Sequence, residues 1–292
     1  MNEDNFNREL NALLRLLDDP DKKIISHVES KIMAYGREAV PVLQDCWENM
    51  VDPVVNEKIE KLIFDINFKD NIKALDDWKN RDQLDLLKGY LIISQYEYPE
   101  LITESLIKEI EKKKNLIWLE LNDQLTAFEK TKVINHFFYE VFKFKPSKNP
   151  VSPMDYYLNH LLETRMGNHL SLGLLYLIFA SMLDLPVFGV NLPDHFVLGF
   201  ARKPINHELD FKLDNEVLFY INPSKKGVVF TQNEIKLYLE QTNITSDDLY
   251  FYPNNNLLIL QRLLNELAHQ YQKSGKNKKA EDMLMMLKTM ER

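Results

Sequence analysis

The chain has 292 residues, of which 45% are hydrophobic and 27% charged, as expected for a globular protein with a substantial core. Its formal net charge of -8 argues against nucleic acid or an anionic membrane as a partner, because both are attracted by positive surfaces. The single cysteine, Cys46, excludes an internal disulfide framework and a thiolate-rich metal site, and it fits a reducing compartment.

Sequence segments for targeting and for nucleotide binding are not recognisable. The first residues are polar and acidic, unlike a signal peptide, and the longest uncharged run, residues 170–183, is too short to cross a bilayer. The eight glycines form neither a G-x-G-x-x-G pattern nor a Walker-type loop. We therefore expect a cytoplasmic protein that needs no cofactor.

The first 76 residues predict four short helices separated by tight turns. Apolar residues recur at helical spacing in four stripes, which end near Leu17, Tyr35, Met50 and Ile66. Helical hairpins of this kind resemble HEAT repeats, so residues 1–76 are assigned to a HEAT-like region. Cys46 lies on the third apolar stripe, where a core residue is expected rather than a nucleophile.

Residues 77–253 predict a mixed core. Helices continue to about residue 145, including one that contains Leu84, and a further helix is expected from Met154 to Arg165. The apolar run 170–183 predicts a central buried helix, for which Asn168 is the candidate N-cap. The strand-like runs are 187–192, 196–201, 217–221 and 228–230. They predict a small antiparallel sheet packed on the buried helix, and the fold class is therefore α+β and mostly helical.

Residues 254–292 predict two more helices with a turn at Gly275. Leu267, Ala268, Tyr271 and Ala280 are spaced as in a single tetratricopeptide hairpin, so this segment is assigned to a tetratricopeptide-like region.

Three motifs carry a resemblance to a known family. They are Arg-Met-Gly-Asn-His-Leu-Ser-Leu at 165–172, Gly-Val-Asn-Leu-Pro-Asp-His-Phe at 189–196, and Tyr-Ile-Asn-Pro at 220–223. Over about residues 80–290 the chain resembles the SirB-like branch of the transglutaminase-like superfamily. The resemblance implies a papain-like core, in which active members place a cysteine at the start of the buried helix, a histidine on the next strand and an Asp or Asn on the strand after it.

By this resemblance Ser171 matches the nucleophile, His195 the general base and Asn222 the residue that orients the base. The neighbouring motif residues, which would support the site, are Arg165, Gly167, Asn168, Asn191 and Asp194. The chain departs from the active pattern because no cysteine is at the helix start. A serine hydroxyl has a much higher pKa than a thiol, and a neutral Asn stabilises imidazolium less than a carboxylate does.

Each candidate also has a structural interpretation. Ser171 is typical of a first helical turn, and we favour this role over that of a nucleophile. His195 is either a base or a partly buried histidine, and Asn222 before a proline is also ordinary turn chemistry. Arg165 either binds an anion or fixes the turn before Gly167, and we favour the second role.

A metal site is not expected. His160, His169, His195 and Asp194 are the available ligands, but their spacing matches no compact metal-binding signature.

Two functions from different classes follow. The first is a non-catalytic interaction or regulatory module that binds another protein or a peptide through its helical hairpins. The alternative is a hydrolase or acyl-transfer enzyme that uses Ser171, His195 and Asn222 on an amide or ester.

Overall fold

The computed structural model describes residues 3–148, 151–203, 216–243 and 250–291. The chain forms two compact units, one of Met1–Asp77 with Gln95–Pro99 and the other of Trp78–Ser94 with Glu100–Arg292. Every candidate site residue named from the sequence lies in the second unit.

Helices build the first unit: α1 (Glu3–Leu14), α2 (Lys22–Tyr35), α3 (Val40–Asn49) and most of α4 (Pro53–Arg81). Their apolar stripes form one core, in which Leu10, Ile32, Leu43 and Ile59 are completely buried. The helix α4 runs beyond the predicted stripe, which ended at Ile66. The reason is that residues 67–81 contain neither proline nor glycine to stop it.

The second unit contains the end of α4 and most of α5 (Leu86–Glu97). It continues with α6 (Thr103–Trp118) and α7 (Ala127–Asn135), and with a π-helical turn at His136–Val141. The prediction that Leu84 belongs to a helix was wrong, because it lies before α5 and is 94% exposed. The α5 helix starts later because the Asp85 carboxylate accepts a hydrogen bond from the Lys88 N–H and caps the first turn.

The predicted helix from Met154 to Arg165 is broken into two pieces. Pro153–Tyr156 form a 3-10 turn, Tyr157 is extended, and only then does α8 (Leu158–Thr164) begin. The Asp155 carboxylate closes a capping box with the Ser152 N–H, which fixes the first turn as a separate element. Arg165, at φ 62°, ends α8 in the left-handed conformation.

The predicted central helix and antiparallel sheet are confirmed. The helix α9 (His169–Met182) is buried at almost every position after its first residue. The strands are β3 (Val187–Leu192), β4 (His195–Ala201), β5 (Val217–Asn222) and β6 (Val228–Phe230), paired antiparallel in sequence order. The mostly helical α+β class is therefore confirmed.

A second, very short pair of strands was not predicted. The strands β1 (Lys145–Pro146) and β2 (Met166–Gly167) pair in parallel, with Lys145 opposite Met166 and Pro146 opposite Gly167. Two residues per strand are too few for an alternating pattern to be visible in a sequence. This pairing places Ser147 beside the start of α9, since the Ser147 N–H donates to the Gly167 carbonyl.

After the sheet, the described residues form α10 (Gln232–Gln241), α11 (Asn256–Lys273) and α12 (Asn277–Glu291). The last two form an antiparallel hairpin, and Gly275 at φ 74° makes the turn between them, as predicted. On α11, Leu260, Leu264 and Leu267 are completely buried.

Candidate functional site

The amino end of α9 is held in place by the loop that precedes it. Asn168 is the N-cap, as predicted, and its Oδ1 accepts a hydrogen bond from the Ser171 N–H at 2.8 Å. Arg165 lies with Nη1 3.2 Å from Glu109 Oε1 on α6, and its guanidinium stands 5.4 Å from the Phe144 ring centroid. Through these contacts the Arg165 side chain fixes the loop to Glu109 and Phe144.

The Ser171 hydroxyl is fully buried and already used. Its Oγ donates to the Asp155 carbonyl oxygen at 2.7 Å, and the Asn168 carbonyl lies at 3.4 Å. Gly167 closes the other side, because a Cβ at that position would collide with the hydroxyl. Among the described residues none of the hydroxyl's hydrogen bonds involves His195, so the structure does not assemble these two residues as nucleophile and base.

His195 lies at the surface beside the turn of the β3–β4 hairpin. Asp194, at φ 57°, occupies the left-handed position that a two-residue turn requires, and Leu192 pairs with His195 across it. The imidazole ring is exposed, with its centroid 5.4 Å from that of the Tyr238 ring on α10. Partial burial and the nearby His169 lower the pKa of His195, which keeps the imidazole neutral near pH 7.

Asn222 serves the turn that follows β5. Its Oδ1 accepts a hydrogen bond from the Ser224 N–H at 3.0 Å, which caps the 3-10 turn Pro223–Lys225. The antiparallel pairing of Leu198 with Ile221 places Asn222 opposite Val197, two residues from His195 along β4. The carbonyl oxygen that would orient an imidazole is therefore engaged in the turn.

His169, which the sequence analysis considered only as a metal ligand, is the side chain that α9 presents towards His195. It is the first residue of the helix, two positions before Ser171, and its proximity is one cause of the lowered pKa of His195. Its Nε2 lies 3.2 Å from Glu266 Oε2 on α11. The sequence signal for His169 was its place directly after the N-cap. The side chain of the first helical residue stays at the end of the helix, whereas the side chain of the third residue, Ser171, turns into the core.

Glu266 and Arg262 are site residues that the sequence analysis missed. Arg262 Nε donates to Glu266 Oε1 at 2.8 Å, and Arg262 Nη1 donates to Asn191 Oδ1 and to the Leu192 carbonyl. Burial alone would raise the pKa of Glu266, but His169 and Arg262 lower it below its ordinary value. Their i,i+4 spacing on a helix was visible in the sequence, but such pairs are common on helix surfaces.

These residues form a polar cluster, which consists of His169, Asn191, His195, Arg262 and Glu266. The polar cluster joins three elements of the second unit: the start of α9, the β3–β4 hairpin and α11. It offers a neutral, exposed imidazole at His195 and a second histidine, His169, in contact with Glu266, but the serine assigned as nucleophile lies in the interior. Within the described ranges, no group of three or more His, Cys, Asp or Glu residues is placed to hold a metal ion. None of the described helices is both long and apolar enough to span a membrane.

The sequence comparisons agree with this fold. The model of the Transglutaminase-like superfamily matches residues 104–265, which is more than half of the chain and contains α9, the sheet and every residue of the polar cluster except Glu266. The chain belongs to the transglutaminase-like superfamily. Its one cysteine, Cys46 on α3, lies outside the matched region and in the first unit.

Among curated proteins, F-box only protein 21 from Mus musculus is 31% identical over 143 residues, which are 49% of this chain and 22% of that protein. The Homo sapiens F-box only protein 21 is 30% identical over the same length. A UPF0162 protein from Xylella fastidiosa is 25% identical over 137 residues, 47% of this chain and 46% of the relative. The alignments thus span less than half of each relative. No solved structure shows significant similarity to the chain.

Proposed function

We propose that this protein is a cytoplasmic, non-catalytic member of the SirB-like branch, which acts as a module that binds another protein or a peptide. Two motifs support the branch, since 165–172 and 189–196 both lie in the matched region and both contribute to the polar cluster. Nucleic acid and membranes are not proposed partners, because the formal net charge is -8.

The observation that carries the proposal is the state of Ser171. An attacking hydroxyl has to be accessible and has to give its proton to a base. The Ser171 hydroxyl has no exposed surface and donates its proton to the Asp155 carbonyl, which cannot act as a base. The superfamily fold is retained, while the acyl-transfer chemistry of its active members has no nucleophile at this position.

The helical hairpins supply the surfaces on which a partner is proposed to bind. In the first unit, large apolar side chains are exposed around the turn between α3 and α4: Trp47 at 44%, Val51 at 92% and Val54 at 61%. Clustered exposed apolar residues of this kind are typical of protein-binding surfaces. We interpret this region as HEAT-like, which is a class of repeat that presents peptide-binding faces.

The C-terminal hairpin, interpreted as tetratricopeptide-like, has a groove of about 390 Å³ between α11 and α12. Asn265, His269 and Gln272 line one wall and Asn277 and Glu281 the other. Amide side chains of this kind can pair with the backbone of an extended peptide. The groove supports a peptide as the second type of partner.

The test is affinity purification of the full chain at native abundance from its own cells. The wild type and the Ser171→Ala variant should recover the same specific partner, because the proposed function does not use the hydroxyl. A double variant, Val51→Asp with Val54→Asp, should lose a partner bound at the α3–α4 surface, and Leu284→Asp one bound at the C-terminal groove. Absence of any specific partner of the wild type would contradict the proposal.

The alternative, a Ser171–His195–Asn222 hydrolase, has one observation in its favour, the neutral and exposed His195. It is opposed by the hydrogen bonds of the other two members, since Ser171 donates to Asp155 and Asn222 accepts from Ser224. We therefore propose the non-catalytic module in preference to the enzyme.

A further inference from the structure

Several buried polar atoms around the start of α9 have no hydrogen-bond partner within the part of the chain that the structure describes. They are Asn168 Nδ2, Ser147 Oγ, Ser224 Oγ and His169 Nδ1. Buried polar atoms in folded proteins are almost always paired with protein or with an ordered molecule, so a group of unpaired atoms at one place indicates a missing ligand. Three of them, Asn168 Nδ2 and the two serine hydroxyl groups, can donate to one ligand and require a common explanation.

Asn168 fixes both the position and the polarity of that ligand. The residue is only 4% exposed, and its Oδ1 is identified because it accepts from the Ser171 N–H, a group that can only donate. The unpaired Nδ2 belongs to the same amide group, so it also lies at the amino end of α9. Since Nδ2 can only donate, the ligand must bring an acceptor to it.

The two serines belong to segments that lie close to the start of the helix. Ser147 follows β1, and its N–H donates to the carbonyl of Gly167, the residue before Asn168. Ser224 lies in the 3-10 turn after β5, next to Lys225, which is close enough to His195 to lower its pKa. The turn that contains Ser224 packs against both α9 and β1, which brings the two serines to one side of the helix start.

The charges around this position favour one negative charge on the ligand. Lys225 and Arg262 are close enough to His195 to lower its pKa, and Asp194 opposes them. Of these two cations, Arg262 is already paired with Glu266, which leaves Lys225 as the cation that can pair with a ligand. The helix start adds a partial positive charge. Since Asp194 acts on His195 and Glu266 contacts His169, the acidic groups of the cluster favour a singly charged carboxylate over a doubly charged phosphate.

We propose that the amino end of α9 binds a carboxylate of the partner, with Asn168, Ser147 and Ser224 as hydrogen-bond donors and Lys225 and His195 at the entrance. The carboxylate is either the C-terminus of a peptide or an Asp or Glu side chain, because both have the same chemistry. The inference rests on the proposed function, since it names the group by which a partner is recognised at a site that does no chemistry.

The test is a titration of the isotope-labelled full chain, followed by the side-chain NMR signals of Asn168 and His195. The probes are acetyl-Ala-Ala-Ala with a free carboxylate, acetyl-Ala-Glu-Ala-amide, the neutral acetyl-Ala-Ala-Ala-amide and inorganic phosphate. We expect saturable shifts with a Kd of about 1–10 mM for at least one of the two carboxylates, and none with the neutral peptide. Preference for the first carboxylate identifies a C-terminus, and preference for the second identifies a side chain.

The decisive variant is Asn168→Asp. Aspartate caps a helix as well as asparagine does, so the fold should be kept, but the donor becomes a charged acceptor. Carboxylate affinity should fall by more than about tenfold. The matched control is Asn255→Asp, which makes the same change at the N-cap of α11, where Oδ1 accepts from the Leu258 N–H. Its affinity should stay within about twofold of the wild type.

The carboxylate site is overturned if no carboxylate gives saturable shifts, if phosphate binds more tightly than both, or if Asn168→Asp binds like the wild type. These outcomes leave the non-catalytic function standing, because a partner can still bind at the hairpins. Reaction of Ser171 with a serine-directed reagent is a separate measurement, and it would overturn the proposed function whatever the titration shows.

Discussion

Replacing Ser171 by the cysteine of the active family members is the most informative perturbation of the core. The hydroxyl is in contact with Gly167 and donates at 2.7 Å to the Asp155 carbonyl. Loss of this buried hydrogen bond should cost about 1 kcal/mol. The larger sulfur in a closed site should add about 1–3 kcal/mol of overpacking. We expect Ser171→Cys to lose about 2–4 kcal/mol of unfolding free energy.

Thiol reactivity then reports whether the position is accessible. The assay is the rate of reaction with Ellman's reagent in a Cys46→Ala background, and the exposed control is Ser105→Cys on α6. Since the introduced thiol is reached only after local opening, its rate should be slower than the control by about 100-fold. A rate equal to that of the control, together with unchanged stability in urea, would refute the assignment of Ser171 to the interior.

Three further predictions concern the same region. Glu266→Gln should lower the unfolding free energy by about 2–3 kcal/mol, because His169 and Arg262 lose a charged partner. The control is Glu281→Gln on the exposed side of α12, which should change the unfolding free energy by less than about 0.5 kcal/mol. Gly167→Ala should lower the unfolding free energy by about 1–3 kcal/mol, because the new methyl group collides with the Ser171 hydroxyl. Adding Ser171→Ala should recover part of this loss. If the losses of the two single variants simply add in the double variant, the contact is contradicted. The pKa of His195 is lower in the folded protein than in the unfolded protein, where it is about 6.5. The contribution of His195 to stability is therefore complete above the unfolded-state pKa and is lost as the pH falls through the folded-state pKa. His195→Gln should reduce the dependence of the unfolding free energy on pH, measured by denaturation at several pH values between these two pKa values.

The sequence predicted the parts of the fold that depend on hydrophobic periodicity. The apolar run from Leu170 and the four strand-like segments were recognisable because buried helices and strands have distinct spacings. The same periodicity could not show the break at Tyr157. That break depends on the Asp155 side chain, which caps the turn at Ser152, and on the Asp155 carbonyl, which accepts from Ser171 across 16 positions.

Some residues around the start of α9 could be named from the sequence, and others could not. The motif residues Asn168, Asn191 and His195 all lie around the start of α9. The side chain at the open end of the helix is His169 rather than Ser171, and the difference of two positions becomes clear only when the first helical residue is known. Glu266 lies 97 positions from His169 in the sequence, so only the packing of α11 in the second unit reveals the pair.

The central claim is that the serine at the family's nucleophile position does no chemistry. The most direct measurement is mass spectrometry of the folded protein after treatment with a serine-reactive fluorophosphonate, with an active serine hydrolase as the control in the same tube. We predict complete labelling of the hydrolase and no adduct on Ser171, because its hydroxyl is enclosed and hydrogen-bonded to Asp155. A stoichiometric adduct on Ser171 that disappears in both Ser171→Ala and His195→Ala would contradict the account and establish the hydrolase.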